Sequence, residues 1–171
     1  MSIKRQRIMI IGQPGSGKST LARAMGNSLN LPVVHIDHIH WQSGWVDRPG
    51  PEKDRLCSEV HARNAWIFEG GRSGTWPERL GRADTLIWLD FPLTIRAWRV
   101  FCRTIRYYGE ARPDLPEGCP ERFSCNFALW MWSTRISSRL LMQSLFDSAP
   151  THKDKYQLRN RQEVEDFIGR L

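Results

Sequence analysis

The plainest chemistry in the chain lies near its start, in Gly12-Gln13-Pro14-Gly15-Ser16-Gly17-Lys18-Ser19, which fits G-x-x-x-x-G-K-[ST]. Glycines at positions 12, 15 and 17 let the backbone curl so that successive N–H groups converge on an anion. Lys18 adds a full positive charge, and the Ser19 hydroxyl is a hard oxygen ligand of the kind Mg²⁺ accepts. From average composition, a chance match in a chain this long is expected about once in 200 sequences, so the pattern selects a phosphate-binding turn over an ordinary one. Its surroundings agree. Ile8–Ile11 reads as a short strand buried on both faces, and Lys18–Leu29 repeats Leu21, Ala22, Met25 and Leu29 at helical spacing. A helix N-terminus behind the turn adds partial positive charge.

Strand, glycine turn and helix together predict contacts to ATP from Gly12, Pro14, Gly15, Ser16, Gly17, Lys18, Ser19 and Thr20. Asp37 follows the second strand, Val33–Ile36, and ligands of open parallel sheets bind beyond the carboxyl ends of strands. Asp37 can orient an acceptor hydroxyl, hold a Mg²⁺-bound water, or cap the next helix. His35, His38 and His40 surround it, as substrate contacts, surface residues or a metal set. Glu69 closes the third strand, Trp66–Phe68. Gly70 and Gly71 then let a substrate approach the backbone, with Arg72 to grip an acidic group. Asp90 ends a similar hydrophobic run and ranks below Glu69. Trp41 and Trp45 can stack a ring, whereas Trp130 and Trp132 read as core.

These residues need a scaffold. Hydrophobic runs at 8–11, 33–36, 66–68, 85–89 and 156–158 alternate with helical patterns at 18–29, 52–64, 92–108, 122–146 and 161–171, which predicts an α/β fold with a parallel sheet and right-handed crossovers. On the helix from Pro92, Arg96, Arg99, Arg103 and Arg106 occupy one sector, and Leu93, Ala97, Phe101, Ile105 and Tyr108 the opposite one. The expectation is an apolar face on the core and an arginine stripe outward, its end turned to phosphates. Three prolines and two glycines between Gly109 and Pro120 predict an exposed, mobile loop.

Bulk properties set limits. The 171 residues suit one domain, and the charged fraction of 25% is that of an ordinary globular chain. No apolar run approaches the ~20 residues that cross a bilayer, and the basic stretch Met1–Arg7 leads into a run too short for a signal-peptide core, so a cytoplasmic protein without membrane contact is expected. A net charge of +7 favours anionic partners or simply solubility. Cys57, Cys102, Cys119 and Cys125 form no C-x-x-C pair, and a zinc site would need more ligands at tighter spacing. A GTPase would carry N-K-x-D, which is absent; Asp47–Gly50 fits D-x-x-G without a preceding strand. Motors and helicases of the AAA type need more chain.

With these segments in view, the sequence resembles the nucleoside-monophosphate-kinase-like P-loop proteins, and among them the adenylate-kinase-related group called DNA topology modulation proteins. The resemblance runs through Ile8–Leu21, His35–Trp41, Trp66–Gly74, Arg82–Pro92 and Tyr156–Phe167. It implies a single three-layer P-loop NTPase domain over residues 1–171, a five-stranded parallel sheet in the order 2-3-1-4-5, helices on both faces, and a lid at about 109–120. It implies a kinase moving the γ-phosphate of ATP, with Mg²⁺, to a nucleotide, nucleoside or similar acceptor. Lys18, Asp37, Arg103 and Arg106 then serve catalysis, with Arg112, Arg135 and Arg139 ranked behind. Ser19 and Glu69 serve the metal, although similar proteins commonly carry Asp at the latter position. Asp37, Trp41, Gly70, Gly71 and Arg72 serve the acceptor, and Arg159 lies where such kinases wrap adenine. The group's name and the basic charge also point to a second reading, an ATP-dependent nucleic-acid-associated regulator, though no DNA-reading motif is present. Oligomeric state is not readable.

Overall fold

The hydrophobic run before the glycine turn is buried along its whole length because helices cover both of its faces. A computed structural model describes residues 6–171; the first five residues of the basic N-terminal stretch lie outside the described residues. The elements run β1 (Arg7–Gly12), α1 (Lys18–Leu29), β2 (Val33–His35), α2 (Ile36–His40), β3 (Trp41–Gln42), β4 (Val46–Asp47), α3 (Gly50–His61), β5 (Trp66–Glu69), α4 (Trp76–Arg82), β6 (Thr85–Leu89), α5 (Leu93–Arg106), α6 (Cys125–Ser133), α7 (Arg135–Ser148), β7 (Asp154–Leu158) and α8 (Arg161–Ile168).

The parallel sheet has the order β2-β5-β1-β6-β7. Counted along the chain without the small antiparallel β3–β4 hairpin, this is 2-3-1-4-5. Alternate residues divide the core between two layers. Met9, Ile11, Trp66, Phe68, Leu86 and Trp88 pack with Cys57, Val60, Trp76, Leu80 and Met142 from α3, α4 and α7. Ile8, Ile10, Ile67, Ile87 and Leu89 pack with Leu21, Ala22 and Met25 of α1 and Phe167 of α8. Register then assembles one end of the sheet. His35 pairs with Glu69 and Glu69 with Ile10, so the glycine turn begins two residues beyond, beside both polar side chains.

Four sequence-based expectations change here. The long helix expected over 122–146 is two, because Ser133 and Thr134 hydroxyls both donate to the Trp130 carbonyl and Thr134 leaves helical geometry at φ −92° and ψ 0°. Trp130 and Trp132 are exposed, not core. The loop at 109–120 is packed instead of standing free: Arg112, Asp114, Leu115 and Cys119 are buried. It is pinned to the unforeseen hairpin by Gly44 N–H donating to Gly118 O at 2.9 Å, Trp45 Nε1 to Pro120 O at 3.0 Å and Cys119 Sγ to Gln42 O at 3.2 Å. Finally, α5 is turned round. Arg96 is buried, while Phe101, Ile105 and Tyr108 are exposed.

Candidate active site

The glycine turn forms between β1 and α1 with φ of +79° at Gly15 and +97° at Gly17, a region open to glycine at little cost. Gly15 is required twice over, because a Cβ there would lie 2.4 Å from the Arg96 carbonyl oxygen. A loop that turns its amides inward presents its carbonyls outward, and these need donors. Arg96 Nη1 donates to Pro14 O at 3.2 Å, and its Nε to Phe91 O at 3.1 Å. Arg99 Nη1 donates to Ser16 O at 3.0 Å, and Gln13 Nε2 to Arg135 O at 2.9 Å. This is the physical reason for the turned helix: its arginines supply what the back of the loop lacks. Inside the loop, Lys18 Nζ donates to Gln13 O at 3.3 Å, and the Ser16 hydroxyl is buried without a hydrogen-bond partner. Such an orphaned polar atom fits a site completed by a polar ligand.

Carboxylates face the loop from the neighbouring strand ends. Glu69 is buried; one of its oxygens accepts from Ser19 Oγ at 3.0 Å and lies 2.8 Å from His35 Nδ1. A hydroxyl beside a carboxylate is an all-oxygen pair that suits Mg²⁺, which keeps several waters and takes the rest from phosphates. Asp37, one residue into α2, feels Glu69, Lys18, Arg112 and Asp114. Burial first, and then the Glu69 charge, push its carboxyl up to about 6. Burial pulls the Lys18 ammonium below its ordinary value, against the opposing pull of Glu69 and Asp37.

The packed loop closes the site from the other side. Arg112 Nη1 donates to Asp114 at 2.9 Å and pairs with Glu121 at 2.6 Å. Arg103 lies 3.5 Å from the same Glu121, whose other oxygen accepts from Thr104 at 3.1 Å. Arg23 reaches Asp114 at 3.3 Å from α1. Arg103 is near enough for its charge to act on both Lys18 and Asp37.

The sequence-predicted residues therefore divide. Gly12, Pro14, Gly15, Ser16, Gly17, Lys18 and Ser19 form the loop, with Thr20 exposed just inside α1; Asp37, Glu69 and Arg103 converge on it. Arg106 does not: it is exposed, near the Tyr107 ring, three residues past the position that faces inward. Trp41 stacks edge-on with Trp45, 5.5 Å away, and belongs to the hairpin. Gly70 serves packing, since a Cβ there would meet Ile36 Cγ2 at 2.0 Å. Gly71 O accepts from Trp76 Nε1, and the Arg72 charge is answered by Asp54, 2.6 Å away. Arg159 is exposed and lines a cleft of about 380 Å³ with Gln13, Asp90, Phe91 and Arg139, next to the glycine loop. Arg139 grips Asp90 through both oxygens, at 2.8 and 2.7 Å. The three histidines do not form one set: His35 meets Glu69, His38 lies 3.4 Å from Pro113 O, and His40 pairs with Asp47. Among the described residues no group of three or more His, Cys, Asp or Glu is placed to hold a metal by itself.

Arg23, Asp114 and Glu121 went unread in the sequence, as did the loop-supporting roles of Arg96 and Arg99. The signal for Asp114 was its place between Pro113 and Pro116, which hold a short turn stiff. Nothing local marked Arg23.

Residues 8–63, from β1 into the turn after α3, match the model of the ATPase family associated with various cellular activities (AAA). The cytidylate kinase of Pyrobaculum islandicum is 31% identical over 125 residues, covering 64% of this chain and 67% of that protein. The deoxyadenosine kinase of Dictyostelium discoideum is 29% identical over 129 residues, 67% of this chain and 51% of that protein. Among solved structures, shikimate kinase from Acinetobacter baumannii in complex with shikimate superposes with a TM-score of 0.61 over 97% of this chain and 90% of that one, at 15% identity, a likeness of fold.

Proposed function

The chain belongs to the nucleoside-monophosphate-kinase-like P-loop kinases, which are ATP-dependent phosphotransferases, and we propose that it moves the γ-phosphate of ATP onto an oxygen of a small acceptor, a nucleoside, a nucleotide or a similar metabolite. The observation that carries this reading is the convergence of Lys18, Ser19, Glu69, Asp37 and Arg103 on one glycine loop. Cytidylate and deoxyadenosine kinases among the relatives support a nucleoside-containing acceptor.

In this reading the amides of residues 12–19 and Lys18 hold the β- and γ-phosphates. Ser19 and Glu69 are the residues that would hold Mg²⁺, which when bound would neutralise charge on the phosphates. Asp37 orients the acceptor oxygen and takes its proton as the new P–O bond forms and the bond to the ADP oxygen breaks; ADP leaves and the proton passes to water. Arg103 donates to oxygens on which charge develops, where a pre-oriented guanidinium is worth most. The packed loop at 109–120 keeps water out, so that the phosphoryl group goes to the acceptor. Arg159 and the cleft beside Gln13 are the proposed surroundings of the adenine.

The nucleic-acid reading loses its structural argument. Three of the four α5 arginines that suggested a basic face, Arg96, Arg99 and Arg103, turn inward to loop carbonyls and to Glu121, and only Arg106 is left exposed.

The test is ADP formation from Mg·ATP with nucleosides, nucleoside monophosphates and small hydroxy acids offered in turn. Turnover with at least one of them, lost in EDTA and cut by orders of magnitude in Lys18→Ala, is expected. No acceptor-dependent ADP across the panel would overturn the proposal.

A further inference from the structure

We infer that the outer face of α5 docks against the same face of a second copy of this chain. Ile95, Trp98, Phe101, Ile105 and, just beyond the helix, Tyr108 recur at spacings of three and four, and with Phe123 they are between 40% and 65% exposed. They form one patch: Trp98 stacks on Phe101 at 5.8 Å, Phe101 meets Phe123 at 6.1 Å, and Phe123 meets Tyr108 at 6.0 Å. At ~200 Å² for a large side chain, six residues so exposed leave roughly 650 Å² of apolar surface in water. That exceeds the ~300–600 Å² of the largest patch on a typical monomer. It approaches the ~800 Å² that each partner contributes to a standard interface.

Charge selects the occupant. A helix that lies on an anionic bilayer surrounds its apolar stripe with lysine and arginine. Here Arg96 and Arg99 are spent on Pro14 and Ser16 carbonyls and Arg103 on Glu121, all on the inner side; Arg106 in the last turn and Arg122 beside Phe123 are exposed, but they stand at one end of the stripe and do not surround it. The patch is therefore a surface for protein. A single helical stripe is self-complementary about a two-fold axis crossing it, where residue i meets j and j meets i. Trp98 and Phe101 sit near the middle of the helix and supply the interdigitating rings. Two copies each carrying +7 repel, and a stripe that bears no charge lets them meet without setting like charges in contact. The inference stands apart from the acceptor and from phosphoryl transfer.

Sedimentation equilibrium of the whole chain across micromolar concentrations tests it. A monomer–dimer equilibrium is expected, with Trp98→Glu and Phe101→Glu together weakening association at least 100-fold. Both side chains are exposed, so an unchanged far-ultraviolet circular-dichroism spectrum should accompany the loss. Cys102 lies on the same sector and is exposed, as is Cys125. In a Cys125→Ser background with native aromatics, a short bis-maleimide should therefore cross-link two copies through Cys102. Four outcomes would each overturn the inference. One is a monomer at every concentration. Another is a monomer that instead co-sediments with anionic phospholipid vesicles. A third is a dimer indifferent to the double substitution, as association through the exposed Trp132 and Ile136 of α6 and α7 would give. The last is a Cys102 that reacts with a monofunctional maleimide but never cross-links.

Discussion

Asp37 stands between two demands, since it must be charged to take a proton and it is held where charge is costly. Burial and the neighbouring Glu69 raise its pKa to about 6, while Lys18 and Arg112 pull the other way. For the free protein, kcat/KM should fall as pH drops through about 6, because the carboxylate is then protonated. Its sign in stability is the opposite. A folded-state pKa above the unfolded value of about 3.8 means that the folded chain holds its proton more tightly; the associated stability is full below about 4 and is lost as pH rises through 6. Asp37→Asn should therefore abolish most turnover and yet stabilise the fold, by ~1–2 kcal/mol at pH 7.5 and by little at pH 4. Denaturant unfolding at the two pH values checks this, and equal stabilisation at both would contradict it.

At the scale of elements, α5 decides how the site is built. A helical wheel separates the arginine sector from the aromatic one, and that separation is correct. It does not say which sector meets the protein. The deciding groups are the Pro14 and Ser16 carbonyls, some 80 residues away in sequence, which no local pattern connects to the helix. By contrast, the glycine loop and its two flanking elements were readable, because glycine type and unbroken apolar runs are local signals, while the strand order came only with the family resemblance. The packing of the loop at 109–120 was not, since proline and glycine mark a turn without showing what it rests on. The orientation of α5 separates two arginines that sequence alone ranked equally. Arg103→Ala should lower kcat about 100-fold or more with a smaller effect on KM for ATP, as loss of a donor to developing charge does. Arg106→Ala should leave both nearly unchanged. Steady-state kinetics of the pair is the check, and equal losses would contradict the placement.

Across the whole molecule, a parallel sheet covered on both faces gathers the carboxyl ends of β1, β2 and β5 at one edge, and the chemistry follows from what those ends carry: a glycine turn, a histidine leading to Asp37, and Glu69. Everything else braces that arrangement, with arginines behind the loop and a pinned segment in front. The central claim is that this edge grips a polyphosphate through main-chain amides and one lysine. Isothermal titration calorimetry with Mg²⁺ and a non-hydrolysable ATP analogue tests it most directly. The account predicts saturable binding of one nucleotide per chain, lost or weakened at least tenfold in Lys18→Ala. Heat indistinguishable from dilution in the native protein, or equal affinity in the variant, would contradict it.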